Sequence, residues 1–242
     1  MYPRLKLFSL IIATLLISLA SPSSLVGTLL GISLDHRAQA QTTPDRTMEA
    51  DRLLEQGTKQ LNEDNEAALQ SFQQALIIYR KIKDRLGEGK ALQGVGSAYA
   101  FLDNHEKGIE FSQQSLVIAR ELKDRELEGK SLSILGAVYN GLKEFTKALD
   151  YQQQALVIAQ EIKNRDLDSN ALRRIGNVYN AQENYPKAID YYQQSLTVAQ
   201  ENKNSKLASY ALTGLGDVYS LLKNYQKAID CGKQVLEIAR NT

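Results

Sequence analysis

Residues 171–200 read ALRRIGNVYNAQENYPKAIDYYQQSLTVAQ, and residues 211–240 read ALTGLGDVYSLLKNYQKAIDCGKQVLEIAR. The same pattern precedes them at 91–120 and 131–160, so the sequence superimposes on itself when it is shifted by forty residues. A weaker copy runs from about Met48 to Glu88, with a turn that is one residue shorter. A fixed period kept through five copies indicates a repeat architecture in which each unit stacks on the next.

Each unit reads as two helices. In the first half of the second unit, Leu92, Val95 and Tyr99 recur at the spacing of one helical face, and Phe111 and Ile118 do the same in the second half. Short polar turns join the halves and the units, and between units we expect Asp or Asn to take the left-handed conformation that closes a helix. The sequence therefore predicts an all-α protein.

Two columns of the repeat predict how the helices pack. A glycine column lets the two helices of a unit approach closely, and a tyrosine column three residues later fills the remaining space. A stripe of tyrosines can also form an aromatic ligand site, but its place on the apolar face favours core packing. The glycine column is Gly96, Gly136, Gly176 and Gly216, and the tyrosine column is Tyr99, Tyr139, Tyr179 and Tyr219.

These columns resemble the tetratricopeptide repeat family, most faithfully at Leu172, Gly176, Tyr179, Ala188 and Ser195. The forty-residue period is similar to the variant found in G-protein-signalling modulators and in exported bacterial repeat proteins, cyanobacterial ones included. The resemblance implies a right-handed α-solenoid of about five helix-turn-helix repeats. These fall at about 48–88, 89–128, 129–168, 169–208 and 209–242.

The N-terminal forty residues predict a secretory signal peptide, because Arg4 and Lys6 precede an apolar run over residues 7–20. Cleavage after Ala40 is favoured over cleavage after Ala20. The alternative is an uncleaved anchor, although each apolar run is shorter than the roughly 20 residues that span a bilayer. We expect cleavage of residues 1–40, a polar leader at 41–47, a solenoid at 48–242 and a periplasmic or extracellular location.

Composition argues against several function classes. The chain has 242 residues, with 29 Lys and Arg against 28 Asp and Glu, and this balance disfavours nucleic acid as the main partner. Cys231 is the only cysteine, and it lies three repeats from His105, too far for a Cys–His dyad. Gly94-Val95-Gly96 lies inside a helical pattern and therefore fails as a phosphate loop. We expect no enzyme activity, no cofactor and no metal site.

The polar face of the first helices predicts a binding surface. Solenoids of this kind place their first helices on a concave face, and a helical wheel puts a set of mostly polar side chains opposite the apolar stripe. We expect this face to bind a protein or peptide segment. Its basic centre favours a segment that contains acidic side chains. The predicted contact residues are Lys90, Gln93, Ser97, Lys130, Ser133, Asn140, Arg173, Arg174, Asn177, Asn180 and Asp217.

Other readings of these residues stay open. Arg173 and Asn177 resemble one step of the carboxylate clamp of chaperone-binding family members, but Gly214 stands where the next clamp asparagine would be needed. The charges can also be solvated side chains that keep the surface soluble. An alternative function is a structural element that self-assembles through an uncapped C-terminal end, where we expect part of the Val235 and Ile238 stripe to be uncovered.

Overall fold

A computed structural model describes residues 44–61 and 63–241. The predicted signal peptide and both candidate cleavage sites lie outside the described residues. Within them there are ten α-helices and no strand, which confirms the prediction of an all-α repeat protein. The packing below is that of one compact unit, Glu49–Thr242, which is distinct from the unit Met1–Met48.

From the second unit onward, a helix begins every twenty residues, so each forty-residue repeat contains two. Odd-numbered helices are the first helix of a repeat and even-numbered helices the second. The helices are α1 (residues 44–60), α2 (Asn65–Ile82), α3 (Arg85–Phe101), α4 (His105–Leu122), α5 (Arg125–Gly141), α6 (Phe145–Glu161), α7 (Arg165–Ala181), α8 (Tyr185–Glu201), α9 (Ser205–Leu221) and α10 (Tyr225–Asn241).

The turns repeat one geometry. One residue in each turn after α2 has a positive φ of 54–60°, and none of these residues is glycine. At Lys123, for example, the next backbone N–H, that of Asp124, donates to the Ala119 carbonyl at 2.8 Å, and this bond closes α4. The Asp124 side chain then accepts the backbone N–H of Leu127 at 2.9 Å. The expectation of a left-handed Asp or Asn is therefore wrong between units, because that residue caps the next helix instead.

The pattern of helix contacts gives the solenoid its curvature. From α2 onward, every helix packs against the next one in the chain, and α3, α5, α7 and α9 also contact each other in sequence. The second helices α2, α4, α6, α8 and α10 make no such contacts with one another in the described residues. Since the first helices approach each other more closely, they line the concave side.

The tyrosine column packs inside the units. Tyr139 of α5 stacks on Tyr151 of α6 with 5.4 Å between the ring centroids, and the Lys147 ammonium lies 5.0 Å from the Tyr139 centroid. Tyr179 and Tyr191 stack in the same way, again at 5.4 Å. These rings join the two helices of one unit, as the packing interpretation predicts.

Rings from two of the second helices fit between glycines of neighbouring first helices. The Phe72 ring of α2 lies against Gly57 of α1 and Gly94 of α3, where an added Cβ would lie 2.7 Å and 2.5 Å from it. Tyr192 of α8 lies in the same way between Gly176 and Gly214, with corresponding distances of 2.8 Å and 2.7 Å. Both rings are only 2% exposed, yet both reach the concave side between neighbouring first helices.

Ion pairs connect consecutive units on another side of the solenoid. The buried Glu128 carboxylate accepts from Arg120 at 2.9 Å and from Arg125 at 2.6 Å. Arg125 also pairs with Glu161 of the following helix. Glu88 forms the equivalent pairs one repeat earlier.

One repeat later this arrangement is incomplete. Gln160 stands in place of Arg120, and Asp168 stands in place of Glu128. Only Arg165 pairs with Asp168, at 3.4 Å, and the buried Oδ1 of Asp168 has no hydrogen-bond partner in the described part of the chain. Burial raises the pKa of the Asp168 carboxyl, whereas two arginines, acting against burial, lower that of Glu88.

Candidate peptide-binding groove

Three adjoining cavities run along the first helices. The N-terminal cavity has about 560 Å³, the central cavity about 360 Å³ and the C-terminal cavity about 350 Å³. The N-terminal and central cavities share Gln93, Ser97 and Lys130, and the central and C-terminal cavities share Arg173 and Tyr210. They therefore form one continuous groove across α1, α3, α5, α7 and α9.

Ten of the eleven predicted contact residues line this groove. Asn140 lines none of the three cavities, although it is half-buried in α5. Lys90, Gln93, Ser97 and Lys130 line the N-terminal cavity; Gln93, Ser97, Lys130, Ser133, Arg173 and Arg174 line the central one; Arg173, Asn177, Asn180 and Asp217 line the C-terminal one.

The sequence prediction missed the residues that reach the groove from the second helices. Phe72 forms part of the N-terminal cavity, together with Leu54 and Leu61, and Tyr192 forms part of the C-terminal cavity. A helical wheel of the first helices does not contain them. The available signal was Gly94 and Gly214, whose missing side chains leave the space that the rings occupy.

Two adjacent arginines lie at the centre of the groove. The Arg173 Nη2 donates to Asn170 Oδ1 at 2.9 Å, and the Arg174 Nε donates to the same oxygen at 3.3 Å. The Arg173 guanidinium also stacks over the Tyr210 ring, 5.5 Å from its centroid. These contacts hold both positive groups in place at the boundary between the central and C-terminal cavities.

Both arginines are poorly compensated. Burial lowers the pKa of Arg173, and burial together with the charge of Arg173 lowers the pKa of Arg174 to about 9. Both side chains are half-buried, and among residues 44–61 and 63–241 no carboxylate lies within 4.0 Å of either guanidinium. A half-buried cation without a counter-ion loses hydration that no protein group replaces, so the site favours an anionic partner.

The lysines of the groove are weaker candidates. Lys130 Nζ lies 2.6 Å from Glu126 Oε1 on the same helix, so its charge is already paired. Lys90 is exposed at the N-terminal cavity, which Asp124 and Glu126 also line. The predicted basic centre is therefore concentrated at the arginine pair, with Lys206 beside it in the central cavity.

The C-terminal cavity contains buried polar atoms that lack partners. The Tyr192 hydroxyl donates to Asn177 Oδ1 at 2.8 Å, and burial raises the pKa of Tyr192 to about 12. In contrast, Arg173 Nε and Asn180 Oδ1 are buried without a hydrogen-bond partner in the described residues. Such unsatisfied atoms are uncommon in folded proteins and call for an explanation.

Neither His105 nor Cys231 lies among the residues that line the three cavities. His105 is half-buried and contacts the backbone of α5 at Gly141, and Cys231 is buried in α10. Within the described ranges, no group of three or more His, Cys, Asp or Glu side chains is arranged to hold a metal ion. None of the helices described there has the length and apolar character needed to cross a bilayer.

Stacked helix pairs with a continuous groove along their first helices define the chain as a helical-repeat protein. Residues 91–161 and 167–241, more than half of the chain, match the family model of the tetratricopeptide repeat. The chain therefore belongs to the tetratricopeptide repeat family. No curated protein matches the sequence.

Several solved structures are similar to this fold. A Rap protein complexed with Competence and Sporulation Factor superimposes with a TM-score of 0.73 at 16% identity, over 79% of this chain and 54% of that one. Aspartyl phosphate phosphatase F from Bacillus subtilis gives 0.67 at 19% identity, over 88% and 56%. A Signal Transduction ATPase with Numerous Domains from Pyrococcus horikoshii, which has a tetratricopeptide repeat sensor, gives 0.53 at 30% identity, over 74% and 28%. The chain spans little more than half the length of the first two proteins, and their likeness shows the fold alone.

Proposed function

We propose that the chain is a non-catalytic interaction scaffold whose concave groove binds a protein or peptide segment with acidic side chains. The observation that carries this proposal is the arginine pair. Arg173 and Arg174 are half-buried in the groove and held by Asn170, without a carboxylate partner in the described residues. A bound Asp or Glu side chain would supply that partner.

The groove supports a segment longer than one residue. Its N-terminal cavity is walled by Leu54, Leu61 and Phe72 and accepts apolar side chains, while its central cavity contains the arginines. The similar Rap structure contains a bound factor, Competence and Sporulation Factor, and this likeness adds support from a protein of the same fold.

The proposal is tested with pools of short random peptides that have amidated carboxyl ends. One pool contains a fixed glutamate and the other a fixed lysine. We expect the chain to retain the glutamate pool preferentially. Replacing Arg173 and Arg174 with Ala should weaken binding by about 1–3 kcal/mol if the pairs formed are buried, and by less at the rim.

A matched control removes the same charge elsewhere. The Lys233→Ala and Arg240→Ala double variant changes two exposed cations of α10, which do not line the three cavities. It should bind like the wild type. Equal retention of both pools, or equal loss in the two double variants, would contradict the proposal and leave the arginines as solvated charges.

A second candidate function is self-association through α10. Tyr225, Ile229 and Leu236 are 62%, 53% and 60% exposed, whereas Leu116, the equivalent of Leu236 three repeats earlier, is 8% exposed because α5 covers it. Val235 is half-buried against the core of the last repeat. The exposed apolar side chains fit a second copy whose helices continue the stack.

Sedimentation over a wide concentration range tests this second function. We expect a dimer or longer assembly that Leu236→Lys converts to a monomer. A wild-type monomer at every concentration would contradict it.

The site of action is part of the same proposal. The N-terminal sequence favours export and cleavage after Ala40, which would place the scaffold in the periplasm or outside the cell. The forty-residue period favours the variant that resembles G-protein-signalling modulators and exported bacterial, including cyanobacterial, repeat proteins. N-terminal sequencing of the protein purified from a native envelope fraction tests the location, and an intact Met1 would contradict it.

A further inference from the structure

The C-terminal cavity combines a buried donor and a buried acceptor that are both unsatisfied. Arg173 Nε–H has no acceptor, and Asn180 Oδ1 has no donor, in the described residues. Both side chains line the same cavity of about 350 Å³, which lies at the lower end of the size range of small-ligand sites. Each unsatisfied atom costs stability unless a ligand completes it.

The surrounding contacts fix Arg173 and the neighbouring Asn177. Arg173 is held by Asn170 at 2.9 Å and by stacking on Tyr210, so its Nε–H cannot turn away without losing both contacts. Asn177 is occupied by the Tyr192 hydroxyl at 2.8 Å. Arg173 and Asn177 are therefore held in place before any ligand arrives, and the adjustment left for binding is the one that uncovers the two buried atoms, Arg173 Nε and Asn180 Oδ1.

Asp217 adds a negative charge to the same cavity. Its carboxylate is exposed on α9, forms no ion pair within the described ranges, and contributes to raising the pKa of Tyr192. The cavity thus presents a cationic donor, Arg173, together with an uncharged acceptor, Asn180, and an anionic one, Asp217. A simple carboxylate would satisfy the first and be repelled by the third.

We propose that this cavity binds an α-ammonium group together with the oxygen next to it. The ammonium would donate to Asn180 Oδ1 and Asp217, and the adjacent carbonyl or carboxylate oxygen would accept from Arg173 Nε–H. This chemistry belongs to the free amino terminus of a peptide and to a free amino acid. The first case rests on the proposed function, because it places the amino terminus of the bound segment here and its following residues beside Arg174.

The repeat provides an internal control for the unsatisfied asparagine. Asn140 lies forty residues before Asn180, and its Oδ1 is also buried without a partner, but it lines none of the three cavities. Removing either side chain deletes a buried unsatisfied atom from a helix. Asn140→Ala and Asn180→Ala should therefore raise the melting temperature alike, while only the second should affect the ligand.

The test compares two pools of short random peptides on the full-length chain. Both pools contain one fixed glutamate and an amidated carboxyl end, and one has a free amino terminus while the other is acetylated. We expect the free-amine pool to be retained about tenfold better, the discrimination that one hydrogen bond to a charged group provides. Asp217→Asn and Asn180→Ala should abolish the preference, whereas Asn140→Ala and Asp230→Asn should keep it.

A third arm separates the two sources of the ammonium. It measures the melting temperature of the chain with a saturating mixture of free L-amino acids. A rise that Asp217→Asn removes, without retention of either pool, assigns the cavity to a free amino acid and contradicts the segment-binding function. Equal retention of both pools overturns the ammonium proposal, and the proposed function survives if that retention still depends on Arg174. Retention of neither pool with no thermal shift overturns both.

Discussion

Replacing Gly94 with Ala tests the close contact between α3 and the Phe72 ring, which lines the N-terminal cavity of the groove. Gly94 lies in the interior of α3, where Ala is favoured over Gly by about 1 kcal/mol in an exposed helix. The structure opposes this gain, because the new Cβ would lie 2.5, 2.6 and 2.7 Å from three carbons of the Phe72 ring. That ring is 2% exposed and is enclosed from the other side by Gly57 of α1, where an added Cβ would lie 2.7 Å from it, so it cannot move straight away from Gly94.

The magnitude follows from these two terms. Restoring ordinary contact requires a shift of roughly 1 Å in a packed core, and overpacking of this kind costs about 1–3 kcal/mol. Against the helix-propensity gain of about 1 kcal/mol, the net effect is a loss of up to about 2 kcal/mol. For a chain of this size, each kcal/mol lowers the melting temperature by roughly 2–4 °C.

The chain contains a matched control for the propensity term. Gly232 is interior to α10, and an added Cβ there meets nothing within 4 Å. Thermal unfolding followed by circular dichroism should therefore show Gly232→Ala raising the melting temperature and Gly94→Ala lowering it. In a Phe72→Ala background, Gly94→Ala should become stabilising. If Gly94→Ala stabilises the wild type as much as Gly232→Ala does, the argument from ring contact is refuted.

Three further predictions concern other parts of the chain. The Gln160→Arg and Asp168→Glu double variant should form the same ion pairs as Arg120 and Glu128 one repeat earlier, and should raise stability by about 0.5–1 kcal/mol. Gln200→Arg should not, because no carboxylate occupies the equivalent position in the next repeat. Equal melting temperatures of the two variants would contradict this prediction. Between about pH 10 and pH 12, stability should fall, because native Tyr192, with a pKa raised to about 12, keeps a proton that the unfolded chain loses. Burial also raises the pKa of Tyr79, so Tyr192→Phe should remove only part of this dependence in urea titrations at each pH. Lys130→Ala should leave retention of the glutamate peptide pool almost unchanged, because Glu126 already pairs with that lysine. A loss as large as that of the arginine double variant would contradict the conclusion that the arginines, rather than the lysines, bind the acidic side chain.

The sequence was sufficient for the fold because the features that form it are local and repeated. Leu92, Val95 and Tyr99 define one helical face, and their equivalents recur every forty residues. Each polar turn contributes a left-handed residue and a helix cap, so the same turn recurs along the chain. Errors at single positions, such as the assignment of the left-handed residue to Asp124 rather than Lys123, leave the topology unchanged.

The groove was only partly predictable, because its remaining features depend on contacts between units. A wheel assigns each side chain to a face of its own helix, and this was enough for Arg173, Asn177 and Asp217. The wheel does not reveal that Phe72 of α2 extends between α1 and α3. It also misses the partner of each charge, so Lys130 and Arg174 look alike in sequence although only Lys130 is paired.

The positions at which the repeats differ are the ones that shape the groove. At the first junction Phe72 meets Gly94, and at the last Tyr192 meets Gly214. Arg174 stands in the same column as these two glycines. At the junction that presents Arg174, the position equivalent to Phe72 and Tyr192 is occupied by Gln152 of α6. Gln152 is fully buried and donates to the Ser133 carbonyl on α5 at 2.8 Å.

A ring therefore faces the groove where the column has glycine, and a guanidinium does so where the column has arginine. Neither change replaces a residue of the glycine and tyrosine columns that pack the helices together. The chain can therefore alter what each junction presents to the groove without altering how the repeats stack. A ligand that spans the groove would accordingly meet an apolar cavity at Phe72, two cations at the centre and a mixed polar cavity at Tyr192. The order of those contacts, rather than any single one, is what would distinguish its partner from other acidic segments.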